Sequence, residues 1–200
     1  MQTQLFNNTM QLLPYQGDAS YHPHFFSNHE SNELLQLLIQ EIQWKQEPIT
    51  IFGKQIMQPR LTAWYGDETK PYSYSGITMH PHSFTPALIH IKQKLDAFAN
   101  CQFTSALLNQ YRNGNDSMGW HRDNEKELGP EPIIASVSFG ATRKFQFRNY
   151  LNKNDKLSLP LTHGSLLLMR GTTNHFWEHQ IPKTKQPIDI RINLTFRILN

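Results

Sequence analysis

Cysteine is nearly absent from this 200-residue sequence, and its single Cys101 excludes an internal disulfide framework and any zinc or redox site built on paired cysteines. Long apolar runs are missing too. Nothing approaches the roughly 18 residues a membrane-spanning helix needs, and Met1 to Asn8 lack the charged and apolar blocks of a secretory signal. An intracellular, reducing location is expected, cytoplasmic or nucleoid-associated in a bacterium and nuclear in a eukaryote. Neither sign of charge dominates: 19 Lys and Arg face 16 Asp and Glu, and the net +3 permits a polyanionic partner without demonstrating one. No repeat, low-complexity tract or long linker divides the chain, so a single domain over 1–200, and a monomer, are expected.

What is present changes character along the chain. Residues 1–20 are rich in Gln and Asn without periodicity and read as a surface extension, tacked down by Leu12, Leu13 and Tyr15. Ser27 and Glu30 then form a capping box ahead of Leu34, Leu35, Leu38, Ile39 and Ile42, which predicts a helix near 28–43. Thr85-Pro86 predicts a second, with Leu88, Ile91, Leu95 and Phe98 facing inward. Between them, 49–80 reads as short β segments broken by Gly and Pro. Its aromatics, Phe52, Trp64, Tyr65, Tyr72 and Tyr74, suit either a core or a surface that stacks on a planar ligand. From Phe103 onward, about seven short strands separated by turn residues, His175 to Ile181 among them, predict a mostly β fold, a sandwich or jelly roll occupying 103–200 and supported by the helices.

Chemistry concentrates at Trp120-His121-Arg122-Asp123-Asn124-Glu125. In extended chain, residues i and i+2 point the same way, so His121 and Asp123 can reach one ion. With His179 as third ligand they would make the two-His, one-carboxylate set of non-haem Fe(II) oxygenases. A solvated loop is the alternative for H-x-D taken alone. The last strand alternates Arg191, Asn193, Thr195 and Arg197 with Ile192, Leu194, Phe196 and Ile198. If the polar face lines a jelly-roll interior, its two guanidinium groups need anionic partners, which a dicarboxylate would supply. If it meets water, they need none. Asn109 and Tyr111 share the same i, i+2 relation on an earlier strand.

Taken together, Leu108-Asn109-Gln110-Tyr111, Gly119-Trp120-His121-Arg122-Asp123, His179 and Arg191 to Arg197 resemble, in order and spacing, the AlkB family of Fe(II)/2-oxoglutarate dioxygenases. The resemblance runs from about Pro48 to Leu199 and includes Gln58-Pro59-Arg60, Ala63 to Asp67, Ser75-Gly76, Ala135 to Gly140 and His163 to Leu166. It implies a double-stranded β-helix (jelly roll) with an aromatic nucleotide-recognition region at 49–80. It also implies that His121, Asp123 and His179 hold iron, and that Arg197 takes the distal carboxylate of 2-oxoglutarate with help from Asn109 and Tyr111. Arg191, Asn193 and Thr195 fill the other co-substrate positions, with Arg191 near the keto-acid end and Asp123. Tyr72, Ser73 and Tyr74 match positions that face a flipped base, and Asn124 and Glu125 flank it. The family commonly has an acid where Asn124 stands, so this departure bears on cationic substrates.

Ile51-Phe52-Gly53-Lys54 resembles the hairpin that the duplex-repair branch inserts into the base stack, which implies substrate contacts at Phe52, Gly53 and Lys54. The implied reaction is oxidative demethylation of N1-methyladenine and N3-methylcytosine in DNA, double-stranded or also single-stranded, with RNA a further candidate. It consumes O2 and 2-oxoglutarate and releases succinate and formaldehyde. Lys54, Arg122, Arg143, Lys144, Arg148, Lys183 and Lys185 are candidates for phosphate contacts. Two other readings compete: an oxygenase acting on RNA or a protein side chain, and a jelly-roll module holding structural zinc.

Overall fold

A computed structural model of the chain describes residues 10–51, 53–66, 72–74, 77–79 and 81–199, with 50, 51, 72–74 and 77–79 described as backbone only. Both helices begin where their capping signals stand. The Ser27 hydroxyl accepts the Glu30 amide at 3.2 Å and opens α1 (Asn28–Glu41), which buries Leu34 and Leu38. The Thr85 hydroxyl accepts the Leu88 amide at 3.3 Å and opens α2 (Pro86–Ala99), which ends at Asn100 in the left-handed region.

The strands are β1 (Met10–Gln11), β2 (Asp18–His22), β3 (Pro48–Ile51), β4 (Lys54–Met57), β5 (Leu61–Gly66), β6 (Tyr72–Tyr74) and β7 (Ile77–Met79). After α2 come β8 (Ser105–Tyr111), β9 (Met118–His121), β10 (Ile134–Gly140), β11 (Arg143–Asn149) and β12 (Lys156–Leu161). The chain closes with β13 (Ser165–Arg170), a helical turn α3 (Thr173–Phe176), β14 (Trp177–Ile181) and β15 (Arg191–Arg197). A seven-stranded sheet ordered β1-β2-β13-β10-β15-β8-β5 faces a four-stranded sheet ordered β12-β11-β14-β9. Their pairs are antiparallel, as a jelly roll requires. Two hairpins, β3–β4 and β6–β7, stand apart from both.

Apolar residues fill two layers. In one, Leu34, Leu38, Leu88, Ile91 and Leu95 of the helices meet Leu108, Val137, Leu194 and Phe196 of the large sheet. In the other, Trp64, Leu107, Phe145, Phe147, Leu167 and Trp177 pack between the two sheets. Each fully buried side chain of this kind contributes about 1.5–3 kcal/mol. The alternation of β15 follows from this layering. Ile192, Leu194 and Phe196 face the helices, which leaves Arg191, Asn193, Thr195 and Arg197 on the side of the other sheet, and all seven residues are buried. A solvent-facing reading of its polar side is thereby excluded.

Three expectations need correction. Residues 18–20 belong to no surface extension: β2 pairs with β13 in the large sheet, Ala19 is fully buried, and Leu13 packs in the core. Trp64 and Tyr65 are buried on β5, which settles the two open readings of these aromatics in favour of the core. The strand expected at His175–Ile181 begins only at Trp177, because Thr173–Phe176 form a helical turn, with the Thr173 hydroxyl bonded to the Arg170 carbonyl. Arg143 points inward from the first position of β11, 2% exposed, and cannot meet phosphate from there.

Candidate active site

The site grows from one cross-strand pair. His121, the last residue of β9, lies opposite His179 of β14, and their rings meet edge to face with centroids 4.2 Å apart. Asp123 follows two residues later and turns the same way. One of its oxygens lies 3.7 Å from His121 Nε2 and the other 3.8 Å from His179 Nε2. The potential ligand atoms of the three side chains all lie within 4.8 Å of one another.

Protonation suits this set for a cation. His121 Nδ1 is 2.9 Å from the Gly119 carbonyl, which can only accept, so Nδ1 donates there and Nε2 is the nitrogen turned toward Asp123. His179 stacks on Phe145, with centroids 5.3 Å apart, and burial followed by the nearby His121 lowers its pKa to about 3 against the opposing pull of Asp123. It is therefore a neutral imidazole at neutral pH. Burial acts to raise the Asp123 pKa, but the Arg197 guanidinium, then His179 and His121, outweigh it and hold the carboxyl at about 2. Two imidazole nitrogens and one carboxylate oxygen converge, and among the described residues no fourth His, Cys or carboxylate joins the group. Such a set fits a divalent ion with open coordination positions better than a closed structural zinc site.

Beside it, the inward side chains of β15 form a ladder against β8 and β10. Arg191 lies opposite Tyr111 and Asn193 opposite Asn109 on β8. Arg197 donates to Asp123 at 2.7 Å, the two side chains each 3% exposed. Asn193 donates to the Ser136 hydroxyl and the Val137 carbonyl, and the Thr195 hydroxyl reaches Asn193 at 3.4 Å. At the far end, Arg191 donates to the Ser138 hydroxyl at 2.8 Å, while its Nε and Nη1 are buried without an acceptor. Burial is the main reason its pKa falls to about 10, so it remains a cation at neutral pH. A single cavity is bounded by all of His121, Asp123, His179, Asn109, Tyr111 and the polar face of β15.

The expected order of the two arginines is reversed. Arg197, not Arg191, stands against Asp123, because Asp123 reaches the Arg197 end of β15 while Arg191 lies six residues away, beside Tyr111. The distal end of the cavity therefore belongs to Arg191.

Other expected residues fall outside this cavity. Asn124 is exposed, and Glu125 is half-buried with Oε2 lacking a partner, but neither bounds the cavity. The β3–β4 hairpin exists, with Gly53 at φ +76 in its turn and Lys54 exposed, whereas Phe52 lies outside the described residues. Tyr72, Ser73 and Tyr74 form β6, described as backbone only. Three supporting groups had been passed over as individual residues: Arg60, Ser136 and Ser138. Arg60 is 4% exposed and donates to the Asn109 side-chain oxygen at 2.7 Å, turning the amide nitrogen of Asn109 away from itself. Ser136 and Ser138 alternate on β10, and that i, i+2 spacing was the signal that they share a face.

Residues 18–197 match the family model for the 2OG-Fe(II) oxygenase superfamily. Human DNA oxidative demethylase ALKBH2 is 39% identical over 190 residues, covering 90% of this chain and 72% of that protein. This chain belongs to the AlkB family. Bovine and human alpha-ketoglutarate-dependent dioxygenase alkB homolog 3 are each 41% identical, and the chain spans 64% of their length. The solved structure of OsALKBH1 superposes with a TM-score of 0.64 at 16% identity, over 94% of this chain and 99% of that one, a likeness of fold. The converging donors and the unpartnered Arg191 nitrogens fit the Fe(II) and 2-oxoglutarate for which the superfamily is named.

Proposed function

We propose that this chain is an Fe(II)/2-oxoglutarate dioxygenase that removes N-methyl groups from DNA bases such as N1-methyladenine and N3-methylcytosine. The observation that carries the reading is the junction of two features: a buried His-Asp-His group, and a strand face running from it to an arginine with two unpartnered nitrogens. A dicarboxylate whose keto-acid end lies at His121, Asp123 and His179 would supply the anion that Arg191 lacks. The names of relatives, a DNA oxidative demethylase and an alpha-ketoglutarate-dependent dioxygenase, support the same reaction class.

His121, Asp123 and His179 would hold the iron, which supplies the oxidising chemistry when bound. The chain's own contribution is placement. Arg197 holds Asp123 in its ionised form, and Gly119 fixes His121 in the tautomer that presents Nε2. Asn109, Tyr111, Asn193 and Thr195 border the co-substrate's length, and Arg191 receives its distal carboxylate. The balanced change converts 2-oxoglutarate and O2 into succinate and CO2. One oxygen atom becomes the hydroxyl of an N-hydroxymethyl group, which leaves as formaldehyde and restores the base.

A duplex substrate is supported by the β3–β4 hairpin, whose Phe52 would fill the gap left by a flipped nucleotide. Tyr72, Ser73 and Tyr74 would face the flipped base, and Glu125 or its neighbour Asn124 would meet its positive charge. Action on DNA implies an intracellular protein. Among the described residues, no helix is long and apolar enough to cross a membrane.

The test loads the protein with Fe(II) and 2-oxoglutarate without oxygen, admits O2 in the presence of N3-methylcytosine oligonucleotides, and follows the products by mass spectrometry. Loss of one CH2 unit with matching succinate is the expected result. Succinate without that loss would keep the oxygenase but reject the substrate. Absence of both would reject the reading.

A further inference from the structure

A second buried arginine stands behind the distal end of the cavity. Arg143 enters from β11, 2% exposed, with its guanidinium 5.6 Å from the centre of the Tyr111 ring, while that of Arg191 lies 5.0 Å from the same ring. Its hydrogen bonds go to neutral carbonyls: those of Asn113, Asp116 and Pro182, at 3.3, 2.9 and 2.7 Å. The nearby Asp116 carboxylate is committed to Arg112, which grips it through Nε and Nη2. Among the described residues, neither Arg143 nor Arg191 has an ion pair. Arg197, by contrast, is neutralised by Asp123. Asp116 favours the Arg143 charge against its burial, but neither buried cation has a direct ion pair, an arrangement that is destabilising, and the two share one tyrosine at the end of the cavity.

We infer that Arg143 is a positioning residue for 2-oxoglutarate: its charge, carried behind Tyr111, strengthens binding of the distal carboxylate at Arg191. The inference rests on the oxygenase reading above. Arg143 does not bound the cavity, so it acts through Tyr111 and through its field, which weakens slowly with distance in a buried setting. It makes the far end of the cavity a two-cation site selective for a diacid over a keto acid that lacks the second carboxylate. Its carbonyl contacts tie the turn after β8 to Pro182, just beyond β14, so Tyr111 is held between two fixed elements.

The test compares 2-oxoglutarate with 2-oxobutyrate, which lacks the distal carboxylate. Both are titrated by calorimetry into protein loaded anaerobically with Mn(II), using wild type, Arg143→Gln and Arg143→Lys. Arg143→Gln should weaken 2-oxoglutarate about tenfold and leave 2-oxobutyrate within about twofold, whereas Arg143→Lys should stay within about threefold for both. Equal weakening of both acids in Arg143→Gln would reduce Arg143 to a structural clamp and overturn the inference, as would no change in either. If Arg143→Gln does not fold, Arg143→Lys decides, since it keeps the charge and gives up the guanidinium's set of carbonyl contacts. Near-wild-type affinity for 2-oxoglutarate then supports the inference, and a loss of about tenfold overturns it. A wild-type protein that does not prefer 2-oxoglutarate to 2-oxobutyrate has a different fault: it lacks the distal subsite, and the oxygenase reading itself fails.

Discussion

Asp123 and Arg197 depend on each other more than any other pair of residues here. The 2.7 Å hydrogen bond lies where both side chains are 3% exposed, so removing Arg197 leaves the buried Asp123 carboxylate without its cation. Replacing Arg197 with Met should lower the unfolding free energy of the metal-free protein by about 3–5 kcal/mol. Part of that loss should return when Mn(II) is added, because the ion takes over as partner to Asp123. Urea denaturation with and without Mn(II) checks both halves, and a loss indifferent to metal would separate Arg197 from the metal group. His179 makes a prediction about pH. Its folded pKa of about 3 lies well below the ordinary value of 6.5, so between those values the unfolded chain binds the proton and the folded one does not. Stability of the metal-free protein must therefore fall as the pH drops from 6.5 toward 3, by at most about 1.4 kcal/mol per pH unit from this residue. His22 and His163 are shifted downward too, so the measurement is a difference. Urea midpoints should decline less steeply in His179→Gln than in wild type between pH 6.5 and 4.

Elements with a strong local signal were legible in the sequence. The capping box at Ser27 and the Thr85-Pro86 start marked both helices to within a residue or two, and the alternation of β15 named every side chain on the cavity face. Alternation gives a face but no direction along it, so it could not tell which of Arg191 and Arg197 stands against Asp123, and the resemblance placed Arg191 there. Only the return of Asp123 to one end of β15, 74 residues apart in sequence, decides that. β2 was missed because Asp18-Ala19-Ser20-Tyr21-His22 carries one small and one aromatic inward residue, too weak a pattern beside a Gln- and Asn-rich start. Arg60 and Arg143 were missed as buried groups because arginine is mostly a surface residue, and nothing local reveals three carbonyls or an amide oxygen gathered from distant strands. One glycine shows how tightly the elements meet. Gly140 ends β10 at φ +84, and a Cβ there would come within 2.3 Å of the Ile190 carbonyl, next to Arg191. Gly140→Ala should cost about 2 kcal/mol or more in strain, lowering the melting temperature by about 5 °C or more. It should also weaken 2-oxoglutarate binding by moving Arg191. Calorimetric melting and titration measure the two effects separately, and a variant as stable as wild type would show that the loop yields freely.

Across the whole molecule, the charge available to a polyanion is smaller than the count of basic residues suggests. Of the seven candidates for phosphate contact, Arg143 is buried, and Arg148 is engaged with Glu178, with its guanidinium over Trp120. Arg122 donates to the His175 carbonyl and lies 3.8 Å from the centre of the Tyr150 ring. That leaves Lys54, Lys144, Lys183 and Lys185 exposed. Each phosphate contact contributes about 0.9 to the slope of log affinity against log salt for duplex DNA, so four lysines set a slope of about −3 to −4, where all seven would give about −6. A measured slope near −6 would mean that Arg122, Arg143 and Arg148 leave their internal partners when DNA binds. Under the proposed action on alkylated DNA, sparse phosphate contact shifts the burden of recognition to the lesion and its pocket. Unstacking a damaged base is already less costly than unstacking a paired one, so a weakly held duplex depends on whatever fills the vacated space. Phe52→Ala should therefore reduce turnover on double-stranded N3-methylcytosine DNA by at least about tenfold, while single-stranded DNA, which leaves no gap to fill, changes by less than about threefold. An equal loss on both substrates would remove the hairpin from the duplex role and leave strand preference to the phosphate-contacting lysines.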